Sequence, residues 1–311
     1  MAKINFYNKT FANAENNIKQ TWKHINSILN KSSKETPLPN YIKVQNSEIY
    51  GEKEILQAFN THFSNIGKQL SMNLGNHHNT TIYREYLSQS PPNQFVVEPI
   101  SPETILNTIN KLAPKSTAAA DGISTILLKK VKEIICEPLS LIVNQSITTG
   151  IFPDNLKVAR VKPLHKKDDI HNMNNFRPIS VLPSISKIFE KVLLIQLNNH
   201  FLVNNLYHSG QYGFREKHST ELATLELIDR LTNDIDEGKI PLSIFLDLSK
   251  AFDSLNHSIL LEKLKHYGII DKALALCTNY FTNRHQYVQQ DNTKSNSTML
   301  DTGVPQGSVL G

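Results

Sequence analysis

The chain has 311 residues, enough for two or three domains and a sizeable hydrophobic core. Its 39% hydrophobic and 20% charged residues exclude a disordered or fibrous protein. No apolar stretch approaches the roughly 20 residues of a membrane span, and Cys136 and Cys277 are too few for a disulfide framework or a thiolate zinc site. With no signal peptide at the amino terminus, we expect an intracellular protein of the nucleus or cytoplasm that has no membrane partner.

The net charge of +5 is unevenly distributed along the chain. Residues 151–220 contain ten Lys and Arg against five acidic residues, whereas residues 221–311 contain eight against twelve. A basic segment followed by an acidic one suits a polyanion-binding surface beside a site that holds cations. The alternative is a solvated charged face with no partner.

The first half of the chain is predicted to be mostly helical. Residues 1–95 read as a loosely organised extension with one helix over Glu54–Leu70. Ser101 is placed to cap a helix that ends before Pro114. Residues 124–149 have enough apolar residues for two helices, split at Pro138. A short strand over 158–164 then leads into the basic turn HKKDD.

The second half alternates helices with short strands. Apolar spacing predicts helices over 184–200, 219–238 and 257–267. The run LSIFLDL, residues 242–248, has the composition of a buried central strand. Residues 287–289 and 297–301 are further possible strands. The fold class is therefore mixed α/β, with helices dominating.

Asp247 is the most informative residue in this pattern. A carboxylate inside an apolar strand is costly to bury unless it is paired or binds a metal, so Asp247 is a candidate metal ligand or catalytic acid. The alternative is a carboxylate that caps the next turn. A two-metal site takes at least two acids, and Asp253 is better explained as a helix N-cap or turn residue. Walker A, G-x-G-x-x-G, H-E-x-x-H and EF-hand patterns are all absent.

Four segments in order resemble the reverse transcriptases of non-LTR (LINE-like, jockey-type) retrotransposons. They are NFRPISVLPSISKIFEKVL (175–193), QYGFREKHST (211–220), SIFLDLSKAFDSLNHSILLEKLKHYGI (243–269) and GVPQGSVLG (303–311). The resemblance covers about 100–311 strongly and 1–99 loosely. It implies a right-hand polymerase fold with an N-terminal extension over 1–95, fingers over 96–220 and a partial palm over 221–311.

The resemblance assigns roles near the expected strand. Asp247 becomes the catalytic aspartate and, with the backbone carbonyl of Leu248, a ligand of Mg²⁺ (or Mn²⁺), which would explain a buried carboxylate. Phe252 matches the bulky residue that favours deoxynucleotides by occupying the space of a ribose 2′-OH. Its alternative is a core aromatic.

The resemblance also implies contacts to nucleotide and nucleic acid. Gln306 and Gly307 lie in the loop that packs against the incoming nucleotide, and Gly307 permits a close backbone approach. Lys166 and Arg177 match the residues that grip the triphosphate. A solvated turn is their alternative, and Lys167 or Lys162 could serve instead. The remaining nucleic-acid contacts implied are Arg215, Lys217 and Lys162, with Arg215 ordering the template or the fingers.

The chain departs from the family pattern in two places. Ala119 and Ala120 replace a glycine and a proline in STAAADGIS (116–124), which puts any role of that segment in doubt. The tetrapeptide (Phe/Tyr)-Ala-Asp-Asp, which completes the family's metal site, does not occur. We therefore expect a truncated reverse transcriptase with an incomplete metal site and no measurable polymerase activity.

The expected partners are an RNA template, a DNA primer and dNTPs. The parent reaction would be template-directed nucleotidyl transfer by an RNA-directed DNA polymerase. Two alternatives remain open from the sequence: a non-catalytic RNA- or DNA-binding remnant, and an inert pseudogene product.

Overall fold

The computed structural model describes residues 2–14, 17–28, 38–45, 47–73, 82–87 and 89–311. These residues form two compact units, Met1–Asn40 and Tyr41–Gly311. The first unit contains helices α1 (Ala2–Ala12) and α2 (Ile18–Ile28).

The second unit contains all the described strands and the remaining helices. In chain order they are β1 (Tyr41–Val44), β2 (Ser47–Tyr50), α3 (Glu52–Asn73), α4 (Pro102–Lys111), α5 (Thr125–Thr149), β3 (Val158–His165), β4 (Phe176–Val181), α6 (Ser184–Val203), α7 (Thr220–Asp236), α8 (His257–His266), α9 (Asp271–Phe281), β5 (Arg284–Gln290), β6 (Thr293–Lys294) and β7 (Thr298–Leu300). Short 3-10 helices add Ile82–Tyr86, Asp154–Leu156 and Met173–Asn175. The predicted mixture of helix and sheet is confirmed.

A twisted sheet forms one layer of the second unit. Strand β3 pairs antiparallel with β4 and parallel with β5, and both β6 and β7 pair antiparallel with β5. Helix α3 packs on one face of this sheet through Leu56, Phe59 and Phe63, which are buried. Asn60 lies in the same helix face, and its amide donates to the Asn296 carbonyl at 2.8 Å and accepts from Gln286 Nε2 at 3.1 Å. A buried amide is thereby satisfied by the sheet it packs against.

Helices α4, α5, α6 and α9 form the main hydrophobic core. Its buried members include Ile105, Val143, Phe152, Phe189 and Tyr280. Local signals set the helix starts, because serine side chains, the predicted cap Ser101 among them, accept backbone N–H groups that have no partner within the helix. Ser101 accepts from Thr104, Ser124 from Leu127, and Ser219 from Leu222.

Residues 125–149 form one helix, so the predicted split at Pro138 is wrong. Proline removes the hydrogen bond to the carbonyl four residues earlier, that of Ile134. Both Pro138 and Ile134 are exposed, so water can satisfy the carbonyl that is left without its helical partner. The helix stops at Gly150, whose φ of +72° suits a residue without a Cβ.

The extension predicted over 1–95 does not form one region. The boundary between the two units falls at residue 40/41, and α3 is integrated into the sheet of the second unit. Phe95, at the expected boundary, is buried and its N–H donates to the Gly268 carbonyl at 2.8 Å. The helix predicted over Glu54–Leu70 is confirmed as α3, and what the sequence did not predict is its packing on the sheet of the second unit. The assignment of 96–220 to fingers and 221–311 to a palm stays a prediction.

The predicted buried strand over 242–248 is wrong. These residues are irregular and exposed, with Phe245 at 80% and Leu246 at 90% exposure. A strand needs a neighbour to pair its backbone N–H and C=O groups. One side of β5 is taken by β3 and the other by β6 and β7, and no described strand lies beside 242–248. The other two expected strands are confirmed as β5 and β7.

An apolar surface adjoins this irregular segment in sequence. Helix α7 has no buried residue, and Leu225 is 62% exposed. No helix in the described part of the chain is both long and apolar enough to cross a membrane.

A buried carboxylate joins the helical core to residues 308–311. Glu190 on α6 is fully buried and accepts from the N–H groups of Val309 at 2.6 Å and Leu310 at 3.3 Å. Its other oxygen accepts from Ser186 Oγ at 2.7 Å. Burial raises the pKa of Glu190, while these hydrogen bonds and the charge of Arg284 oppose that shift.

Replacing Glu190 should destabilise the protein because the donors it satisfies would remain buried. We expect Glu190→Ala to lower the free energy of unfolding by about 3 kcal/mol and Glu190→Gln by less, since the amide keeps one acceptor oxygen. Denaturant unfolding measures both. Glu137→Gln, an exposed position on α5, is the matched control and should change stability by less than about 0.5 kcal/mol. Equal stabilities for Glu190→Ala and the control would contradict this account.

Candidate active site

The segment that ends the chain packs on the turn after the irregular stretch. The N–H of Gly303 donates to the Leu255 carbonyl, and that of Val304 to the Phe252 carbonyl, both at 2.8 Å. Gly303 has a φ of +76°, and a Cβ there would lie 2.8 Å from the carbonyl oxygens of Phe252 and Asp253. Only glycine fits this close backbone approach. The two sequence motifs that contain Phe252 and Gln306 are thereby brought together.

Gln306 and Asp253 form the polar contact at the centre of this arrangement. Gln306 Nε2 lies 2.9 Å from each carboxylate oxygen of Asp253. Burial raises the pKa of Asp253, and the hydrogen bond from Gln306 and the charge of Lys250 oppose the shift. Asp253 is therefore a turn residue, as expected, but not an N-cap, because Asn256 caps α8.

The following residues bind the edge of the sheet. The N–H of Ser180 on β4 donates to the Gln306 carbonyl at 2.8 Å. Gly307 has a φ of +110°, and a Cβ there would lie 2.9 Å from the Ser180 carbonyl oxygen. Glycine is required here because the backbone of residue 307 lies close to the backbone of β4 in the same chain.

Phe252 lies at the surface of the same turn. It is 38% exposed and meets Phe214 edge-on, with ring centroids 6.0 Å apart. This contact joins the segment QYGFREKHST (211–220) to the turn. A core position for Phe252 is not observed, and its role as a gate against ribonucleotides stays a prediction.

Asp247 does not lie in a buried strand, the environment that the sequence predicted for it. Its carboxylate is exposed to water and therefore needs no compensating ion. The described residues contain no group of three or more His, Cys, Asp or Glu that could hold a metal. Asp253, six residues later, is engaged by Gln306. The side chains around Asp247 and Leu248 therefore do not by themselves fit a divalent-metal site.

The outer face of the β3–β4 hairpin carries a line of cations. Lys162 lies opposite Ile179, and Arg177 lies opposite Leu164, so all four side chains share one face of the pair. Arg160 belongs to the same face by its alternation along β3. The opposite face is buried, with Val161 fully buried against the core.

Lys166 extends this line of cations past the end of β3. Its backbone N–H donates to the Asn175 carbonyl at 2.8 Å, which keeps it beside the start of β4. The side chains of Lys166 and Arg177 are exposed and make no ion pair with other described residues. We call Arg160, Lys162, Lys166 and Arg177 the basic strand face. It brings together the two predicted triphosphate-binding residues and one predicted nucleic-acid contact.

Arg215 holds together the loop that precedes it, and its predicted role in ordering the template or the fingers stays a prediction. Its guanidinium donates to the carbonyls of His208 and Gln211, each at 3.2 Å, and lies 4.9 Å from the ring centroid of Tyr207. Lys217, with a φ of +61°, is exposed in the same irregular stretch. Contacts of Arg215 and Lys217 with nucleic acid stay predictions.

The sequence reading missed several residues that shape this region. Glu190 holds the end of the loop, and Ser180 holds its middle. Lys250, whose Nζ donates to Asn174 Oδ1 at 3.0 Å, ties the turn to the start of β4. Glu190 had a usable signal, because an acid among Phe189, Val192 and Leu193 interrupts a continuous apolar helix face. Ser180 and Lys250 had none.

Known proteins similar to this chain point to one family. Residues 164–311 match the family described as reverse transcriptase (RNA-dependent DNA polymerase). A probable RNA-directed DNA polymerase from transposon BS of Drosophila melanogaster is 30% identical over 226 residues, covering 69% of this chain and 24% of that protein. The RNA-directed DNA polymerase from mobile element jockey of the same species is 28% identical, covering 73% and 25%.

A third relative agrees with these two. The probable RNA-directed DNA polymerase from transposon X-element of Drosophila melanogaster is 26% identical over 229 residues, covering 73% of this chain and 25% of that protein. The chain thus spans about a quarter of the length of these curated relatives. Residues 164–311 are a reverse transcriptase domain, and the chain is similar to proteins named as RNA-directed DNA polymerases of mobile elements.

Proposed function

We propose that this chain contributes to template-directed nucleotidyl transfer on an RNA template with a DNA primer and dNTPs. The observation that carries the proposal is the convergence of three segments, 177–180, 250–255 and 303–307, through the hydrogen bonds of Ser180 and Asp253 to Gln306. Each segment comes from a different motif of the family resemblance. The relatives named as RNA-directed DNA polymerases support the same reaction.

The basic strand face provides the charge that such substrates need. In the reaction the primer 3′-hydroxyl attacks the α-phosphate of the dNTP, the new P–O bond forms, and pyrophosphate leaves. Arg177 and Lys166 are proposed to bind the triphosphate, where cations stabilise the charge that grows on the leaving group. Lys162, Arg215 and Lys217 are proposed to contact the nucleic-acid strands.

Gln306, Gly307 and Phe252 are proposed to line the nucleotide pocket. The loop backbone at Gly307 lies against β4, the strand that also presents Arg177. Phe252 is exposed on the adjoining turn, where a ring could contact the sugar. Discrimination against a 2′-hydroxyl by Phe252 rests on the resemblance.

Reverse transcriptases as a family use a divalent metal ion. Asp247, with the Leu248 carbonyl, is proposed as a ligand of Mg²⁺ or Mn²⁺. Both residues are exposed, and Asp247 supplies one carboxylate without belonging to a metal-binding group of acids among the described residues. The proposal for this pair therefore rests on the resemblance. We also propose that the protein acts in the nucleus or cytoplasm, where its nucleic-acid substrates occur.

A second candidate function is binding of nucleic acid without catalysis. The observation that favours it is the same basic strand face, because phosphate contacts by Lys and Arg supply affinity for polyanions independently of any metal site. Both functions require this surface. Specific binding of a dNTP by segments 177–180, 250–255 and 303–307 separates them, because binding of nucleic acid without catalysis needs no nucleotide pocket.

Removal of two cations from the basic strand face should weaken binding of a primer–template. We expect Lys162→Ala/Arg177→Ala to bind a labelled RNA–DNA primer–template about 5- to 10-fold more weakly at moderate salt, with a log–log salt slope smaller by about one to two. Fluorescence anisotropy over a KCl series measures both quantities. Lys130→Ala, an exposed lysine on α5, is the control. An affinity and a slope equal to those of the control would contradict the assignment.

The 311-residue chain should not extend a primer measurably. Charge neutralisation at the reacting phosphate by two metal ions takes at least two carboxylates, and the Asp253 carboxylate is held by Gln306. Primer extension on an RNA template with dNTPs and Mg²⁺ or Mn²⁺ is the measurement. Incorporation that is lost in Asp247→Ala and kept in the control Asp236→Ala, an exposed acid on α7, would overturn the expectation.

A further inference from the structure

A cavity of about 790 Å³ lies between α3, the β1–β2 hairpin and the turn before β4. Its volume falls within the 300–1,000 Å³ typical of small-ligand sites. Neither the sequence motifs nor the proposed nucleotide pocket includes it. The turn is fixed against the hairpin, because the Lys43 N–H donates to the His171 carbonyl at 2.9 Å.

The walls of the cavity are rich in amide side chains. Asn65 and Gln69 lie one turn apart on α3, both line the cavity, and neither side chain is hydrogen-bonded within the described residues. Gln57 and Asn172 line it as well, but each already accepts a backbone N–H. Asparagine and glutamine amides present a donor and an acceptor side by side, the pattern that pairs with the edge of a nucleobase.

His62 adds a neutral ring to the same wall. Burial lowers the pKa of His62 to about 4, with a smaller contribution from the charge of Lys250. The imidazole is therefore uncharged near pH 7 and offers a flat surface on which a base can stack. Ala58, Val44 and Met173 provide apolar contact on other sides of the cavity.

The charges around this neutral interior are mainly positive. Lys53 lines the cavity, and Lys250 lies beside it through its hydrogen bond to Asn174 Oδ1. Lys43 also lines the cavity, but its charge is balanced by Asp169, whose carboxylate lies 3.2 Å from the Lys43 Nζ. Among the described residues that line the cavity, Glu54 is the one acid. Cations around a neutral, amide-rich interior match a nucleotide, whose base is neutral and whose phosphates are anionic.

The cavity is connected to the candidate active site. Lys250 contacts Asn174 on the cavity wall and belongs to the same turn as Phe252 and Asp253. A nucleic-acid strand bound at that turn would therefore have an unpaired nucleotide within reach of the cavity.

We propose that this cavity binds an unpaired nucleotide of a single-stranded segment of nucleic acid, through base-edge hydrogen bonds to Asn65 and Gln69. The inference rests on the proposed function for its choice of ligand. It goes further, because it assigns a second, base-contacting subsite on α3, on the amino-terminal side of the reverse transcriptase domain.

The test measures binding of the full 311-residue chain to a labelled unstructured 12-nucleotide RNA and to a blunt RNA–DNA duplex. We expect Asn65→Ala/Gln69→Ala to weaken binding of the single strand 5- to 10-fold and to leave duplex binding unchanged. Gln145→Ala, an exposed helical amide on α5, is the matched control. Unchanged thermal unfolding of the double variant confirms that it folds.

Two further measurements make the outcomes distinguishable. RNA containing 4-thiouridine should photo-crosslink to the peptide of residues 52–73, and a free nucleoside monophosphate should compete only at far higher concentration than the strand. If the double variant and the control bound the single strand equally well, and the crosslinks lay outside α3, the proposal would be wrong and the cavity would hold only water. That result would leave the proposed function intact if Lys162→Ala/Arg177→Ala still weakened binding of the duplex. If the wild-type chain bound neither the single strand nor the duplex, both proposals would be overturned.

Discussion

The position of the candidate active site depends on the buried carboxylate of Glu190. It accepts two consecutive backbone N–H groups, those of Val309 and Leu310, from within the helical core. With this end fixed, the loop is also held in its middle by Ser180 and at its start by the backbone of residues 252–255. A loop anchored at three points has little conformational freedom left to lose when a substrate binds, and this is what a preorganised site requires.

The sheet connects this site to the basic strand face, because its two faces have different contacts. The inner face packs on α3, where the buried Asn60 links helix and sheet. The outer face carries the half-buried Lys162 and the exposed Arg177, and β4 contacts Gln306 at its other end. Strand β4 therefore joins Arg177, one of the proposed triphosphate-binding cations, to the loop of the nucleotide pocket.

The elements that the sequence predicted correctly are those specified by local chemistry. Serine caps, glycine stops and apolar spacing act within one turn of helix, so α4, α6 and α7 could be found without any tertiary information. Residues 242–248 could not, because strand formation depends on a partner that the run of apolar letters does not reveal. The same limit explains α3, whose integration with the sheet depends on Gln286 and Asn296, more than 200 residues away.

The site divides in the same way. Spacing and composition marked Asp247 for burial, which the structure contradicts, and only the family resemblance supports its catalytic role. The hydrogen bond between Gln306 and Asp253 joins residues 53 positions apart, so no local sequence pattern could predict it. Glu190 was detectable as an acid in an apolar helix face, although its partners at 309 and 310 were not.

The central claim is that segments 177–180, 250–255 and 303–307 form one nucleotide-binding surface. Photo-crosslinking with an azido-dNTP on the primer–template complex of this chain, followed by peptide mapping, tests it most directly. The account predicts labelling of peptides from all three segments, suppressed by excess unmodified dNTP. Labelling confined to other surfaces, such as the exposed face of α5, or labelling that excess dNTP does not suppress, would contradict it.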